Sequence, residues 1–266
     1  MVDPRAHRPG LLARDNDDPV KIVAVAGLVA LCSALAVTAA AILLEPRQAA
    51  HLEAEQAARM AAMLETLPAM AEVLAESGAD SLTTRLVDLA TGAFVDGADP
   101  ADYDAEAAAA DPASAVTIPA ELDIAGLRQR APHAVVHILE QDGEVALVIL
   151  PVSGTGYQSR IEALLALEAD LRTVAALTIT AQADTAGLGA RIEEPAWQAL
   201  WPGRVVSDET GAIVISVVRG AASTPYEVDG ISGATRTGNG ITNMLRYWLG
   251  DHGYGPFLAR LRDGGL

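Results

Sequence analysis

The chemistry of this chain centres on ten residues, Val228-Asp229-Gly230-Ile231-Ser232-Gly233-Ala234-Thr235-Arg236-Thr237, which join a predicted strand to a predicted helix. Two of them are glycines, which permit unusual backbone angles and the close approach of a ligand. Three carry hydroxyl groups, and a predicted helix follows at once, whose first amides are free to bind an anion. The spacing alone favours a capped strand–helix turn, since the eight-residue phosphate loop that ends in lysine is absent from these residues.

Around this turn, the chain mixes hairpin-like strands with short helices. Ala134–Leu139 and Val145–Leu150 flank Asp142-Gly143, a dipeptide typical of a tight hairpin turn. Such a mixture predicts an α+β domain with a mixed or antiparallel sheet over roughly residues 130–250. The remaining predicted elements are strands at Thr173–Thr180 and Ala212–Val218 and helices at Tyr157–Leu167, Glu194–Trp201 and Asn239–Leu249.

An uncharged segment of 23 residues, Ile22–Leu44, precedes this domain. A helix of that length reaches about 35 Å, which exceeds the ~30 Å hydrocarbon core of a bilayer. A cleaved signal peptide, the main alternative, has a shorter apolar region of about 7–15 residues and a small-residue cleavage site. We therefore predict a retained, single-pass transmembrane helix at 22–44.

The charges that flank this segment predict its orientation. Four basic residues precede it, whereas only Arg47 and Arg59 lie among the next fifteen, so residues 1–21 are predicted to be cytoplasmic and the rest exported. Four acids also precede the segment, so the whole formal charge of −17 lies beyond it. So acidic a domain repels nucleic acid, and we expect no nucleic-acid partner. The single cysteine, Cys32, lies within the predicted span, which excludes disulfides and thiolate metal sites from the exported domain.

Weaker patterns occupy the region between the span and the α+β domain. Apolar residues at helical spacing from Met60 to Leu67 predict an amphipathic helix. Residues 97–115 contain five acids, two prolines and no base, which predicts a mobile loop or linker. Further on, His133 and His137 would share one face of a strand but lack a third ligand, so no metal site is expected.

The ten-residue turn resembles the flavinylation motif of FMN-binding domains, in which Asp and Ser-Gly-Ala-Thr recur at this spacing. Three longer runs are similar to the C subunits of the sodium-translocating NADH:quinone reductases. They are Pro151–Ile161, Ala183–Arg204 and Asp229–Leu266. The resemblance implies that Thr235 carries FMN through a covalent phosphoester bond.

The resemblance also implies roles for the other residues of the turn. Gly233 and Ala234 are small and leave access to the phosphate, and the hydroxyls of Ser232 and Thr237 bond its oxygens. Asp229 either holds the turn or is recognised by the enzyme that attaches the flavin. That enzyme is expected to be a flavin transferase using FAD and Mg²⁺, because an unactivated hydroxyl is a weak nucleophile.

Three further residues face the isoalloxazine ring by resemblance: Thr185, Gly187 and Leu188. The chain departs from the family pattern nearby, where Gln158 replaces a tryptophan, and we expect Tyr157 to supply the aromatic side chain instead. Asp184 replaces a glutamate and Ala186 a proline in the second of the similar runs.

The resemblance implies an electron-relay subunit of a bacterial inner-membrane complex that pumps sodium ions, with the FMN domain in the periplasm. The expected partners are the other subunits of the complex, the flavin transferase during maturation, and membrane lipid. Because no dinucleotide-binding fingerprint is present in the sequence, this chain is not expected to oxidise NADH itself.

Three alternatives remain open at this point. One is the flavoprotein subunit of an Rnf-type ferredoxin:NAD reductase, which shares the motif. Another is a non-redox, membrane-anchored scaffold, and the third is a hydrolase that uses Ser232 or Thr235. The predicted organisation is a tail at 1–21, a transmembrane helix at 22–44, a helical or linker region at 45–130, the FMN-binding domain at 131–250 and a C-terminal tail at 251–266.

Overall fold

The computed structural model describes residues 19, 21–34, 82–141 and 144–264, and the chain divides into two units, Met1–Ala58 and Arg59–Leu266. In the first unit, residues 21–34 are helical and expose several aliphatic side chains. Within the described ranges, no helix is both long enough and apolar enough to span a membrane. Residues 35–44 of the predicted span, and the helix predicted near residues 60–67, lie outside the described residues.

Nine strands of the second unit are described. In chain order they are β1 (Leu82–Asp88), β2 (Val116–Thr117), β3 (Gln129–Arg130), β4 (His133–Gln141), β5 (Glu144–Thr155), β6 (Arg160–Glu168), β7 (Val174–Ala181), β8 (Ser216–Val218) and β9 (Glu227–Asp229). Five of them form an antiparallel sheet in the order β1-β4-β5-β6-β7. The predicted hairpin is confirmed, with His137 of β4 opposite Ile149 of β5. The strands β8 and β9 form a separate parallel pair.

Four α-helices of the second unit are described. They are α1 (Ala105–Ala110), α2 (Pro195–Gln198), α3 (Thr235–Leu249) and α4 (Gly255–Arg262). The helix α3 packs its apolar face against β5 and β8. Glycine allows the approach to β5, since a Cβ on Gly240 would come within 2.6 Å of the Thr155 carbonyl oxygen. This contact fixes the first turn of α3, and therefore Thr235, relative to the sheet.

The helix predicted at Tyr157–Leu167 is wrong, because Arg160–Glu168 forms the strand β6. Alanine, leucine and glutamate favour a helix locally. The strand is nevertheless paired on both edges, with β5 and with β7, and most of its side chains are buried. Two-sided burial produces a continuous apolar run with no alternation, which a buried helix shares.

The acidic segment 97–115, predicted as a mobile loop or linker, contains a 3₁₀ turn at Pro100–Asp102 and the helix α1. Its acids cap short helical turns: the Asp99 carboxylate accepts from Ala101 N, and that of Asp104 accepts from Glu106 N and Ala107 N. Side-chain oxygens at this position satisfy amides that would otherwise lack partners, so the acids shape the local fold.

The folded body extends beyond both predicted boundaries of the FMN-binding domain. The strand β1, assigned from sequence to a helical or linker region, forms the edge of the main sheet. In the predicted C-terminal tail, α4 buries Phe257 and Leu258 in the same core. The tail therefore packs on its own domain.

Candidate functional site

The turn between β9 and α3 is held by a close backbone crossing. The Gly230 amide donates to the Gly220 carbonyl at 3.1 Å, and a Cβ on Gly230 would overlap the Val218 carbonyl oxygen. Only glycine fits there, because any side chain would separate the turn from the end of β8. The Asp229 carboxylate adds a second tie by accepting from the Ala222 amide at 2.7 Å. This geometry supports the alternative in which Asp229 holds the turn.

Gly233 turns the chain toward the helix with a positive φ of 79°. A Cβ at this position would lie 3.0 Å from the Leu188 Cδ2 atom, so the leucine side chain rests against the motif backbone. Leu188 is 43% exposed, which is unusual for a large aliphatic side chain at such a contact. The glycine thus serves both the turn and the packing of Leu188.

Thr235 is the first residue of α3 and is partly exposed. The preceding residue, Ala234, provides no side-chain cap for the helix. Uncapped amides and the positive end of the helix dipole favour an anion at this position. The hydroxyl of Thr235 therefore lies where a phosphate group would be stabilised.

Two cavities flank the motif and share its Gly233-Ala234-Thr235 segment. The larger has a volume of about 510 Å³, and the smaller about 300 Å³, within the usual range of ligand sites. The smaller is bounded by Ser232 and the end of β8. The larger is lined by Tyr157, Thr185, Leu188, Gly189, Gly233, Ala234, Thr235, Arg236 and Thr237. Residues predicted from three separated runs thus meet in one place.

A buried carboxylate, Asp184, joins the three runs. It accepts from Thr237 Oγ1 at 2.6 Å, from the Gln158 and Tyr157 amides at 3.0 and 3.3 Å, and from Ser159 Oγ at 3.3 Å. Burial on its own raises the pKa of Asp184, but the bonds from Thr237, Gln158, Tyr157 and Ser159 outweigh it and lower that pKa. Asp184 is therefore an ionised anchor between the loop that contains Leu188, the turn after β5, and the first turn of α3.

Arg236 adds a positive charge to the rim of the larger cavity. Its guanidinium carbon lies 5.3 Å from the centroid of the Tyr157 ring, a cation–π geometry. Tyr157 is 48% exposed and lines the cavity, where the sequence had suggested it as the aromatic substitute. The pair presents an aromatic ring and a cation beside Thr235.

The other predicted residues have different surroundings. Gly187 has a positive φ of 74° and open space around it, so it shapes the loop that presents Leu188. Ser232 is exposed on the side of the smaller cavity. The Thr237 hydroxyl is buried and donates to Asp184, so its predicted bond to a phosphate oxygen stays a prediction.

The sequence did not single out Asp184 or Gly189 as site residues. A Cβ on Gly189 would lie 2.6 Å from Thr237 Oγ1 and 2.8 Å from the Asp184 carboxylate, so its absence permits that contact. The only signal in the sequence was an acid at the start of the Asp184-Thr185-Ala186-Gly187 run. Its partners are 25 to 53 residues away and become visible only in the fold.

Comparisons with known proteins agree with this geometry. Residues 156–250 match the FMN-binding domain family. The C subunit of the Na(+)-translocating NADH-quinone reductase of Vibrio parahaemolyticus is 39% identical over 96% of this chain and 100% of its own length. The protein of the same description from Pseudomonas aeruginosa is 37% identical over 94% and 98%.

Solved structures give the same result. Shewanella oneidensis NqrC superposes with a TM-score of 0.66 at 29% identity, covering 73% of this chain and 88% of that one. The equivalent protein from Parabacteroides distasonis, at 24% identity and a TM-score of 0.56, supports the fold alone. Fold and site thus define an FMN-binding domain. The chain belongs to the family of the C subunits of Na(+)-translocating NADH-quinone reductases.

Proposed function

We propose that Thr235 carries FMN through a phosphoester bond to its side-chain oxygen. One observation carries this proposal: a partly exposed threonine begins an uncapped helix between two cavities. The residues fit the group, because the amides at the start of α3 suit a phosphate and the small residues Gly233 and Ala234 leave it room. Arg236, in the same turn, adds a compensating charge.

The attachment requires an external flavin transferase. Thr235 Oγ1 forms a bond to the FMN phosphorus of FAD, the pyrophosphate P–O bond breaks, and AMP leaves with the electron pair. The hydroxyl proton passes to a base of the transferase or to solvent. The transferase and its metal ion activate the hydroxyl and the phosphate, because an unactivated hydroxyl is a weak nucleophile.

The larger cavity is proposed to hold the flavin ring. Leu188 and Tyr157 present the apolar and aromatic surfaces, and Thr185 and Gly189 complete the wall. When bound, FMN supplies the transfer of one or two electrons. The chain's own residues position the group, limit its contact with water and set the charge around it through Arg236.

The chain is the FMN-carrying electron-relay subunit of a Na⁺-translocating NADH:quinone reductase, a translocase complex. Because the chain belongs to this family, it is not assigned to the Rnf-type reductases. We infer that its partners are the other subunits of that complex, since the sequence has no dinucleotide-binding fingerprint with which to oxidise NADH. A covalent flavin suits such a relay because it cannot diffuse out of an exported domain.

The membrane arrangement is also a proposal. Residues 22–44 are proposed to cross the bacterial inner membrane once, surrounded by lipid, with residues 1–21 in the cytoplasm and the FMN domain in the periplasm. Support comes from the uncharged run and its flanking charges, and from the aliphatic side chains exposed along the described helix at 21–34.

The test is flavin fluorescence of the denatured chain on a gel, after expression with a flavin transferase. The wild type should fluoresce, and the added FMN mass should map to the tryptic peptide Gly220–Arg236. Thr235→Ala should abolish the signal, whereas Thr210→Ala, which removes an exposed hydroxyl outside the motif, should keep it. Circular dichroism should show both variants folded, because neither hydroxyl is buried. A fluorescent Thr235→Ala band would refute the attachment site.

Full NADH-driven turnover by a complex that contains Thr235→Ala would favour the scaffold alternative. In that case, the fold would be retained for assembly and the flavin of this chain would not lie on the electron path.

A further inference from the structure

A third cavity, of about 260 Å³, lies where the strands β4 and β5 separate. The two strands pair only from His137 and Ile149 toward the hairpin end. Continuing that register would place residues 133–136 opposite residues 150–153, but the described strands are not paired there. Residues from both stretches line the cavity instead.

Side chains stabilise this separation in place of ladder hydrogen bonds. The Tyr254 hydroxyl donates to the Pro151 carbonyl at 2.7 Å, and the Trp248 indole donates to the Ser153 carbonyl at 2.7 Å. Proline at 151 has no N–H to offer the neighbouring strand. Because the freed carbonyls have dedicated partners, the opening is a built feature of the sheet.

A buried cation, Arg130, lines the cavity. The residue is only 8% exposed, and its guanidinium donates to the Ala131 carbonyl at 2.8 Å. No Asp or Glu among the described residues lies within ion-pair distance of it. Burial of a cation without an anionic partner is costly, and it is unexpected in a chain with a formal charge of −17.

The groups around Arg130 are neutral phenols. Burial raises the pKa of Tyr103 and of Tyr254, and the positive charge of Arg130 opposes that rise at both. The guanidinium therefore sits among hydroxyl groups that remain protonated at neutral pH. Guanidinium has five donors in a fixed fork, and its contacts with the Ala131 carbonyl and the Tyr247 hydroxyl leave further donors with which to bind an anion.

The rest of the lining supplies a second cation and apolar walls. Arg160 donates to the hydroxyl of Ser153 at 2.9 Å, and that serine is only 7% exposed. Arg160 also forms an ion pair with Glu162 at 3.3 Å, so its charge is already compensated. The remaining walls are mostly aliphatic and aromatic, with Trp248 and Tyr254 among them, and they also include the polar residues Glu106, Gln129, His133 and Thr180.

We propose that this cavity binds a small organic carboxylate with an apolar body, whose carboxylate pairs with Arg130. Guanidinium binds carboxylate through two parallel hydrogen bonds, and the apolar walls favour a ligand that is not charged throughout. The site is separate from the flavin site: Trp248 follows Thr235 by thirteen residues of α3, which is ~20 Å along the helix.

The probe is benzoate, titrated into the full flavinylated chain in detergent while the thermal unfolding midpoint and the heat of binding are measured. Benzyl alcohol tests for apolar binding alone, and inorganic phosphate tests for binding of any anion. We expect benzoate to bind saturably and to raise the midpoint, as a ligand of the native state must, and we expect little effect of the other two. Equal binding of benzyl alcohol or of phosphate would overturn the proposal, as would the absence of benzoate binding.

Two variants locate the site. Arg130→Met keeps the length of the side chain and should weaken benzoate binding by about tenfold to a hundredfold. Arg262→Met removes an exposed arginine from α4 and controls for net charge. Ala109→Leu fills the cavity from the surface helix α1 while Arg130 remains, and should also abolish binding.

Ala107→Leu, on the exposed face of the same helix, is the control for Ala109→Leu and should bind benzoate like the wild type. If Arg130→Met does not fold, the Ala109→Leu and Ala107→Leu pair decides the question. Unchanged benzoate affinity in Ala109→Leu would show that the anion binds elsewhere and would refute the proposal.

Discussion

At the scale of single residues, the carboxylate of Asp184 determines whether three separate chain segments meet at the flavin cavity. Asp184→Asn keeps the shape but loses the charge, and its NH₂ group must face donors on one side, either the Gln158 amide or the Tyr157 amide and the Thr237 hydroxyl. We expect a loss of about 2 kcal/mol in the free energy of unfolding at pH 7, the order found for hydrogen bonds to charged groups. Urea unfolding measures it, and Asp251→Asn, at an exposed position, should have no effect.

The same residue predicts a pH dependence. The folded pKa of Asp184 lies below its ordinary value of 3.8, so the stabilisation is fully present at neutral pH. It should decline as the pH falls below about 3.8 toward the folded pKa, because the unfolded chain then binds a proton more readily. The difference in stability between wild type and Asp184→Asn should therefore shrink between pH 5 and pH 3. A constant difference would contradict the assignment.

A variant at Leu188 distinguishes the covalent attachment of the flavin from the environment of its ring. Leu188→Ala should keep the gel fluorescence, because the phosphoester forms at Thr235. Truncation of a fully buried leucine costs about 2–5 kcal/mol, and less here because Leu188 is 43% exposed. Any part of this free energy that differs between the oxidised and the reduced flavin shifts the midpoint potential, since about 1.4 kcal/mol corresponds to ~59 mV for one electron.

The measurement for Leu188→Ala is a redox titration of the purified chain, followed by NADH-driven quinone reduction in the assembled complex. We expect a midpoint shift of tens of millivolts and slower turnover. Val116→Ala, a similarly exposed aliphatic residue outside the cavity, should change neither. An unaltered potential in Leu188→Ala would place the ring elsewhere.

The sequence predicted the residues of the motif but not the contacts that hold the motif in place. Gly233, Thr235 and Leu188 were identified through the resemblance to the family, and the structure brings them together. The anchor Asp184 and the cation Arg236 act through partners distant in sequence or through the orientation of a ring, neither of which spacing reports.

At the scale of elements, α4 is part of the core rather than a docking tail. Phe257 is 1% exposed and packs edge-on against Phe94, so Phe257→Ala should cost about 3–5 kcal/mol in the free energy of unfolding. Arg260→Ala, on the exposed face of the same helix, should cost less than about 0.5 kcal/mol. Thermal unfolding of the full chain compares them. A near-wild-type Phe257→Ala would indicate that α4 packs on a partner protein instead.

Secondary-structure elements marked by a local sequence signal could be predicted, whereas the strand that depends on pairing with its neighbours in the sheet could not. The hairpin β4–β5 was predicted from its turn dipeptide and β7 was predicted as a strand, whereas β6 was predicted as a helix because its composition favours one. The helix α3 begins at Thr235, four residues before the predicted start, because its first turn is stabilised by Asp184 and not by a side-chain cap. That difference is what places Thr235 at a helix terminus.

At the scale of the whole molecule, function depends on which side of the membrane the domain occupies. The main sheet and the four α-helices described for the second unit lie between residues 82 and 262, so the described part of this unit has its own hydrophobic core without residues 22–44. The predicted span is the one uncharged run of more than ~18 residues in the sequence. Deleting residues 22–44 should therefore release a folded, water-soluble protein, measured by ultracentrifugation after cell lysis without detergent.

Orientation is tested with alkaline phosphatase, which is active only outside the cytoplasm, fused after residue 50. Basic residues before the span outnumber those just after it, and such residues remain on the cytoplasmic side, so the fusion should be active. Replacing Arg5, Arg8 and Arg14 by glutamine should lower the phosphatase activity, because the bias is only a few charges and their removal leaves Lys21 alone on that side. A mature chain that begins near residue 45 would show a cleaved signal peptide instead, and an inactive wild-type fusion would place the flavin domain in the cytoplasm.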